Sequence, residues 1–167
     1  MTGMRLLVIL LFLAGCAVPS AQPAPRQADG TVVSGCAMRV RDTFEPGLSG
    51  RAVAVGPIAF VTFGVHEPRA PREGALGNFK VQIQLDADQK ATVKLATAAA
   101  ALLFDRSVLR DDNAYLLTEG AAQVRFETCP GTTTTFVGAV ITTGPTEIPV
   151  DVTAGGETRR IQLSART

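Results

Sequence analysis

The segment Phe79-Lys80-Val81-Gln82-Ile83-Gln84-Leu85 alternates apolar and polar residues at every step, so that four apolar side chains share one face and three polar ones the other. A chain with this period cannot sit there as a helix and must bury one side of a strand. Asp86-Ala87-Asp88-Gln89 follows as turn chemistry, and Thr92-Val93-Lys94-Leu95 resumes the alternation, which predicts an antiparallel hairpin. The same pattern recurs in Gln123-Val124-Arg125-Phe126-Glu127 and in Ile148-Pro149-Val150-Asp151-Val152. Proline has no N–H to give a ladder, so Pro149 belongs at an edge or at a strand start. Arg160-Ile161-Gln162-Leu163 adds a last short alternation after the Gly155-Gly156 turn.

Other runs are apolar throughout: Ala52 to Val55, Ile58 to Phe63, Ala101 to Phe104 and Phe136 to Ile141, with Gly56-Pro57 separating the first two. Such runs are predicted to be buried on both faces. With Cys36 to Arg41 included, nine or ten short strands separated by turn signals result, the pattern of an all-β protein of β-sandwich architecture. The competing assignment is a helix over Thr92 to Leu103, favoured by the alanines at 96 and 98–101. Strands are preferred because Thr92, Val93 and Thr97 are β-branched, the period at 92–95 is two, and no N-cap precedes the run. A short helical turn is allowed around Arg106 to Asp111. The strand spacing is immunoglobulin-like, but the tryptophan that such domains bury is missing. His66 to Asn78 is the longest polar interior loop, and Asp105 to Asn113 the second.

The amino-terminal segment has a basic residue, Arg5, an apolar core from Leu6 to Leu13, and a small-residue exit at Ala14 and Gly15, the plan of an export signal. The core is well short of the roughly 20 apolar residues needed to span a bilayer. Leu13-Ala14-Gly15-Cys16 resembles the lipobox of bacterial lipoproteins. That resemblance implies that a diacylglyceryl group is transferred to the Cys16 thiol and that the segment 1–15 is then removed as a signal peptide. A plain secretory signal whose Cys16 pairs with another thiol is the competing reading. Residues 16–31 are read as the lipidated cysteine and a disordered spacer, since three prolines lie among small and polar residues with little to bury. Residues 32–167 are read as a single β-sandwich domain.

Of 16 basic residues one is Arg5, so the processed chain carries 15 basic and 15 acidic side chains and is formally neutral. Such a balance leaves no basic excess for nucleic acid. With Cys16 consumed by lipid, Cys36 and Cys129 are the remaining thiols, and an exported protein lives where disulfides persist. A Cys36–Cys129 bridge is therefore expected. A reactive cysteine is the alternative, and it would need an electropositive or histidine neighbour.

Two stretches, GRAVAVGPIAFVTFG over 50–64 and AAQVRFETCPGTTTTFVGAVITTGPTEIPVDV over 122–152, resemble a group of uncharacterised exported proteins and lipoproteins of high-G+C Gram-positive bacteria. The shared elements are an Arg-x-Val-x-Val-Gly-Pro strand pair and a late Cys-Pro followed by a Phe-x-Gly strand. Members often carry another cysteine after the later Gly-Pro, where this chain has Thr146 and Glu147. The resemblance implies an exported address and supplies no activity.

Candidate chemistry is sparse. His66 is the only histidine, so a Ser-His-Asp arrangement or a histidine-bearing zinc site would have to run through it, with Glu67 adjacent and Glu73 near. Ser34-Gly35-Cys36 faintly resembles the nucleophile motif of L,D-transpeptidases, but the histidine order and spacing differ. Asp86 and Asp88 form a carboxylate pair, read as a polar turn tip rather than a glycosidase pair. Asp105, Asp111 and Asp112 lack the Asp-x-Asp-x-Asp-Gly pattern of a calcium loop. No serine-hydrolase elbow or phosphate-binding glycine loop is present. The sequence thus predicts a non-catalytic binding or structural module of the cell envelope, with no catalytic residue, metal ligand or cofactor. It is expected on the extracytoplasmic face of the cell membrane, anchored through Cys16 and facing an envelope protein or polymer. The competing expectations are an envelope hydrolase acting on wall glycan or ester through carboxylates or a serine outside any motif, and a carrier of a small molecule or metal.

Overall fold

The computed structural model describes residues 23–40, 52–69, 73–144 and 147–164. Leu13, Ala14, Gly15 and Cys16, the residues of the export and lipidation signal, lie outside the described residues. Among the described residues ten strands form two sheets: β1 (Val32–Ser34), β2 (Val53–Val55), β3 (Ile58–His66), β4 (Asn78–Leu85), β5 (Lys90–Leu95), β6 (Ala100–Leu103), β7 (Gln123–Glu127), β8 (Thr134–Thr142), β9 (Glu147–Ala154) and β10 (Glu157–Ser164). One sheet has the order β1-β7-β5-β9-β10 and the other β2-β3-β4-β8-β6. The two pack face to face as a β-sandwich, so the all-β class and the layer architecture agree with the alternation in the sequence.

The inward side chains are those that the period-two pattern selects. Phe79, Val81, Ile83 and Leu85 of β4, Val124 and Phe126 of β7, and Ile148, Val150 and Val152 of β9 all belong to one core cluster. Three phenylalanines bind the layers together: Phe126 of the first sheet meets Phe104 edge-on at 4.9 Å and Phe136 of β8 at 5.1 Å, centroid to centroid. They supply the aromatic contact that a buried tryptophan gives immunoglobulin domains, about 0.5–1.5 kcal/mol per ring pair beyond area burial.

The hairpin expected between 79–85 and 92–95 is not formed. β4 and β5 belong to different sheets, and Asp86–Gln89 carries the chain across the sandwich. Both strands do have one apolar face, but those faces look at each other rather than lying side by side, a distinction that alternation alone does not encode. Asp88 takes a left-handed conformation (φ 58°), and its carboxylate accepts a 2.8 Å hydrogen bond from the Gly131 N–H, tying this crossing to the β7–β8 turn.

Three further expectations change. The strand expected over Cys36 to Arg41 is not formed in its described part, residues 36–40: Cys36–Met38 forms a single 3-10 turn, and the strand lies just before it as β1, parallel to β7, while Arg41 lies outside the described residues. Ala52 to Val55 is not buried on both faces, because β2 is an edge strand and Val53 remains 41% exposed. The carboxyl-terminal half of the stretch read as spacer is folded. Ala24 enters the core, Arg26 bridges Val32, and the Val33 N–H donates to the Pro25 carbonyl at 2.8 Å, so this exposed, proline-containing chain lies along a sheet edge. By contrast β6 and β8 are buried on both faces as expected, apart from half-buried Val137 and Thr142. Pro149 lies near the start of β9, just beyond Leu95, the last β5 residue paired with that strand. Its carbonyl accepts from the Ala96 N–H at 2.9 Å, and its missing donor falls where the ladder ends.

Cys36 and Cys129 are joined, with Cα atoms 4.9 Å apart and 93 positions between them in sequence. The bridge pins the segment after β1 to the β7–β8 turn, where the Cys129 N–H donates to Thr134 Oγ1 at 3.0 Å. In the chain-entropy account, a loop of this size contributes about 4–5 kcal/mol by restricting the unfolded chain. β9 and β10 form a hairpin whose two central glycines, Gly155 and Gly156, both have positive φ (58° and 85°), as a type I′ turn requires. Across this hairpin Arg160 donates from Nε and Nη2 to both oxygens of Asp151, at 2.7 and 2.9 Å.

Two outcomes are expected. Reduction, or the pair Cys36→Ser with Cys129→Ala, should lower the unfolding free energy by about 4 kcal/mol in denaturant titrations. An unchanged midpoint on reduction would show that the bridge does not stabilise the fold. The hydrogen bonds from Arg160 hold Asp151 below its ordinary carboxyl pKa of 3.8. A depressed acid pKa gives stability that is present above the unfolded value and lost as pH falls through the folded one. Arg160→Gln should therefore narrow the difference between thermal midpoints measured at pH 7 and below pH 3.8.

Candidate functional site

The outer face of the second sheet is where the sequence builds something other than core. Alternation places Asn78, Lys80, Gln82 and Gln84 of β4 on that face, next to Val137, Ala139 and Ile141 of β8. The chain between β6 and β7 folds back over one part of it. Tyr115 packs with Ala101, Leu103, Ala139 and Ile141 in a second apolar cluster, joined by Val108, Leu109 and Leu117. This cover explains why Ala101 to Phe104 and Phe136 to Ile141 carry no polar side chain: the strands that hold them face the main core on one side and this loop on the other.

The covering loop is held by its own polar groups. The Tyr115 hydroxyl accepts from the Arg110 N–H at 2.8 Å and donates to the Arg110 carbonyl at 3.0 Å. Arg110 stacks over the Tyr115 ring at 5.8 Å, donates to the Ala114 carbonyl and pairs with Glu119. Glu119 also accepts from the Leu116 N–H at 2.7 Å, closing a 3-10 turn at Leu117–Glu119. Asp105 accepts from both the N–H and the hydroxyl of Ser107, and Asp112 from the Ala114 N–H.

The two longest polar loops of the sequence meet here. The Arg69 N–H donates to the Asp112 carbonyl at 2.7 Å, and Leu76 and Tyr115 exchange backbone hydrogen bonds at 2.8 and 3.2 Å. Gly77 lets the two ends of the first loop close on each other, since a Cβ at that position would lie 2.6 Å from the His66 carbonyl oxygen. Between the loops and the sheet lies an open cleft of about 540 Å³. Its floor is Val137, Gly138 and Ala139 with the buried Asn78, whose Nδ2 donates to Asn113 Oδ1 at 3.5 Å. Asn113 is left-handed (φ 55°), which turns the loop towards the floor. His66, Arg69, Lys80, Arg110 and Asp111 complete the walls. Opposite Lys80, the β3–β4 register shifts between Thr62 and Val65. Bulges of this kind commonly re-aim side chains at the margin of a site.

The structure gathers some candidate residues and separates others. His66 ends β3, half-buried, opposite Asn78, and lines the cleft rather than standing in an open loop. Glu67 and Glu73 are exposed and do not line the cleft. Among the described residues no group of three or more His, Cys, Asp or Glu side chains could hold a metal ion. Cys36 is oxidised, so it carries no thiolate, and the buried Ser34 hydroxyl donates to the Phe104 carbonyl at 3.4 Å. Asp88 is held in the inter-sheet turn, and Asp105 and Asp112 cap turns of the covering loop, each through its own side chain. Lys80, Arg110, Asn113 and Tyr115 were not marked by any motif. The signal available for them was indirect: the only tyrosine of the chain lies beside its second polar loop, and a lysine stands on the polar side of its clearest strand.

Tyr115→Phe should cost about 1–2 kcal/mol, since the backbone N–H and C=O of Arg110 lose one shared partner. The loss should appear in the unfolding free energy and as faster hydrogen exchange confined to residues 105–121. Exchange unchanged in that segment would show that the hydroxyl does not hold the loop. Compared with known proteins, the chain matches no protein-family model and no curated sequence.

Proposed function

We propose that this chain is an exported lipoprotein, anchored on the extracytoplasmic face of the cell membrane through a diacylglyceryl group on Cys16, whose sandwich is a non-catalytic binding module. The observation that supports the exported address is the Cys36–Cys129 bridge, a bond that persists in oxidising compartments and is uncommon in the cytosol. It agrees with the signal-like residues before Cys16 and with the resemblance to exported lipoproteins of high-G+C Gram-positive bacteria. Among the described residues no helix is long and apolar enough to cross a membrane.

The binding surface in this reading is the cleft between the loops. The described nucleophile candidates are engaged elsewhere, Cys36 in the disulfide and Ser34 with a backbone carbonyl. The tether is short: the first core residue, Ala24, follows Cys16 by eight positions, a reach of no more than about 29 Å when fully extended. From Arg26 back to Pro23 the chain runs antiparallel to β1, towards the end of the sandwich that carries the disulfide. The 66–77 loop joins β3 and β4 at the opposite end, next to Asn78 and His66.

In a bacterial host with the lipoprotein pathway, a fatty-acid analogue should label the parent chain and leave Cys16→Ser unlabelled and released from membranes. A parent chain that is never labelled would end the anchored reading. Purified protein should turn over none of a panel of wall glycans and esters. Turnover abolished by substituting His66 or one carboxylate would replace the binding module with an envelope hydrolase.

A further inference from the structure

The cleft is cationic on a chain that is otherwise close to electrically balanced. Arg69 and Lys80 are exposed and His66 half-buried, and among the described residues none of the three has an acidic partner. Among the described residues the lining contains one carboxylate, Asp111, which is exposed. Arg110 is already committed to Glu119, to the Ala114 carbonyl and to the Tyr115 ring, so it acts as a wall. Arg69 and Lys80 approach from different elements, one just beyond β3 and the other from the outer face of β4. Their backbones are fixed by the Arg69–Asp112 hydrogen bond and by the Lys80–Ala139 pairing. A guanidinium fork and an ammonium lining one cleft, with the carboxamides of Asn78 and Asn113 beside them, offer the donors that an oxyanion takes. The Tyr115 ring is buried and offers no open face for stacking a sugar.

We infer that this cleft binds a ligand bearing an oxyanion, phosphate or carboxylate, through Arg69 and Lys80, with His66, Asn78 and Asn113 as polar neighbours. The inference rests on reading the sandwich as a binding module and names the chemical class of its ligand. No bond is made or broken, so binding is an exchange of solvent and counterions for the two cations. It should weaken with salt, because exposed charges are screened within about 8 Å at physiological ionic strength.

The test uses the full chain in a neutral detergent at low ionic strength, titrated calorimetrically with inorganic phosphate, acetate, a glycerol-phosphate oligomer, an oligogalacturonate and neutral dextran. At least one anionic probe should bind, and the double variant Arg69→Gln with Lys80→Gln should weaken it tenfold or more. Lys80→Arg should retain binding, as should Arg159→Gln, which removes an exposed charge on β10 away from the cleft. Both cleft positions are exposed, and an unchanged thermal midpoint shows that the double variant still folds. Preference for the phosphate or the carboxylate probes identifies the source of the oxyanion, and a preference for oligomers over free ions identifies a polymer. Failure of every anionic probe, or equal binding by the double variant, overturns the inference. Dextran binding alone would overturn it and leave the binding module intact. An unlabelled Cys16 would remove the anchor and leave the anion site untouched.

Discussion

Everything in this molecule depends on two apolar sheet faces covering each other, and Phe126 is where that contact is most concentrated. It reaches from β7 to Phe104 and Phe136 of the opposite layer, and all three rings are 3% exposed or less. A single five-stranded sheet with this sequence would leave one apolar face in water. Two such sheets solve the problem for each other, at roughly 25 cal/mol for each Å² of apolar surface removed. The disulfide adds a covalent clamp where the parallel β1–β7 pair meets the β7–β8 turn, a region of short strands.

The second sheet is buried beyond what a sandwich needs. Tyr115 and its apolar neighbours roof β6 and β8, and the loop that carries them is held by backbone hydrogen bonds to the 66–77 connection. Where that roof stops, polar residues of β4 and the two loops surround a cleft instead of a core. The ordered core thus supports the cleft from beneath, and the same loop that completes the packing forms one of its walls. Rigid scaffolds commonly carry binding residues on loops in this way.

Local pattern was a good guide to strands and a poor one to their partners. The alternation at 79–85, 123–127 and 148–152 identified three strands and their buried faces, because the period of side-chain direction is a property of a single strand. It also rejected a helix at 92–103 in favour of β5 and β6. The same alternation suggested that β4 and β5 pair, which failed because a turn of four polar residues serves a hairpin or an inter-sheet crossing equally well. Cys36 to Arg41 misled for a related reason, since a short apolar run beside a disulfide can be turn rather than ladder. The cleft was harder to read. Lys80 looked like the solvated side of a strand, and Arg69 and Asn113 like loop filler, until two distant loops brought them together.

By itself, then, the sequence determined the all-β class, the positions of most strands, the face that each one buries, and the pair of cysteines left to join. These follow from local sterics, side-chain period and thiol chemistry, none of which needs to know what lies across the molecule. Only the tertiary structure decided which strands share a sheet, that Ala24 to Thr31 lines an edge instead of hanging free, and that His66, Arg69 and Lys80 stand around one opening. Those outcomes depend on contacts between residues far apart in the chain, where many pairings satisfy the same local pattern and only packing of the whole selects one.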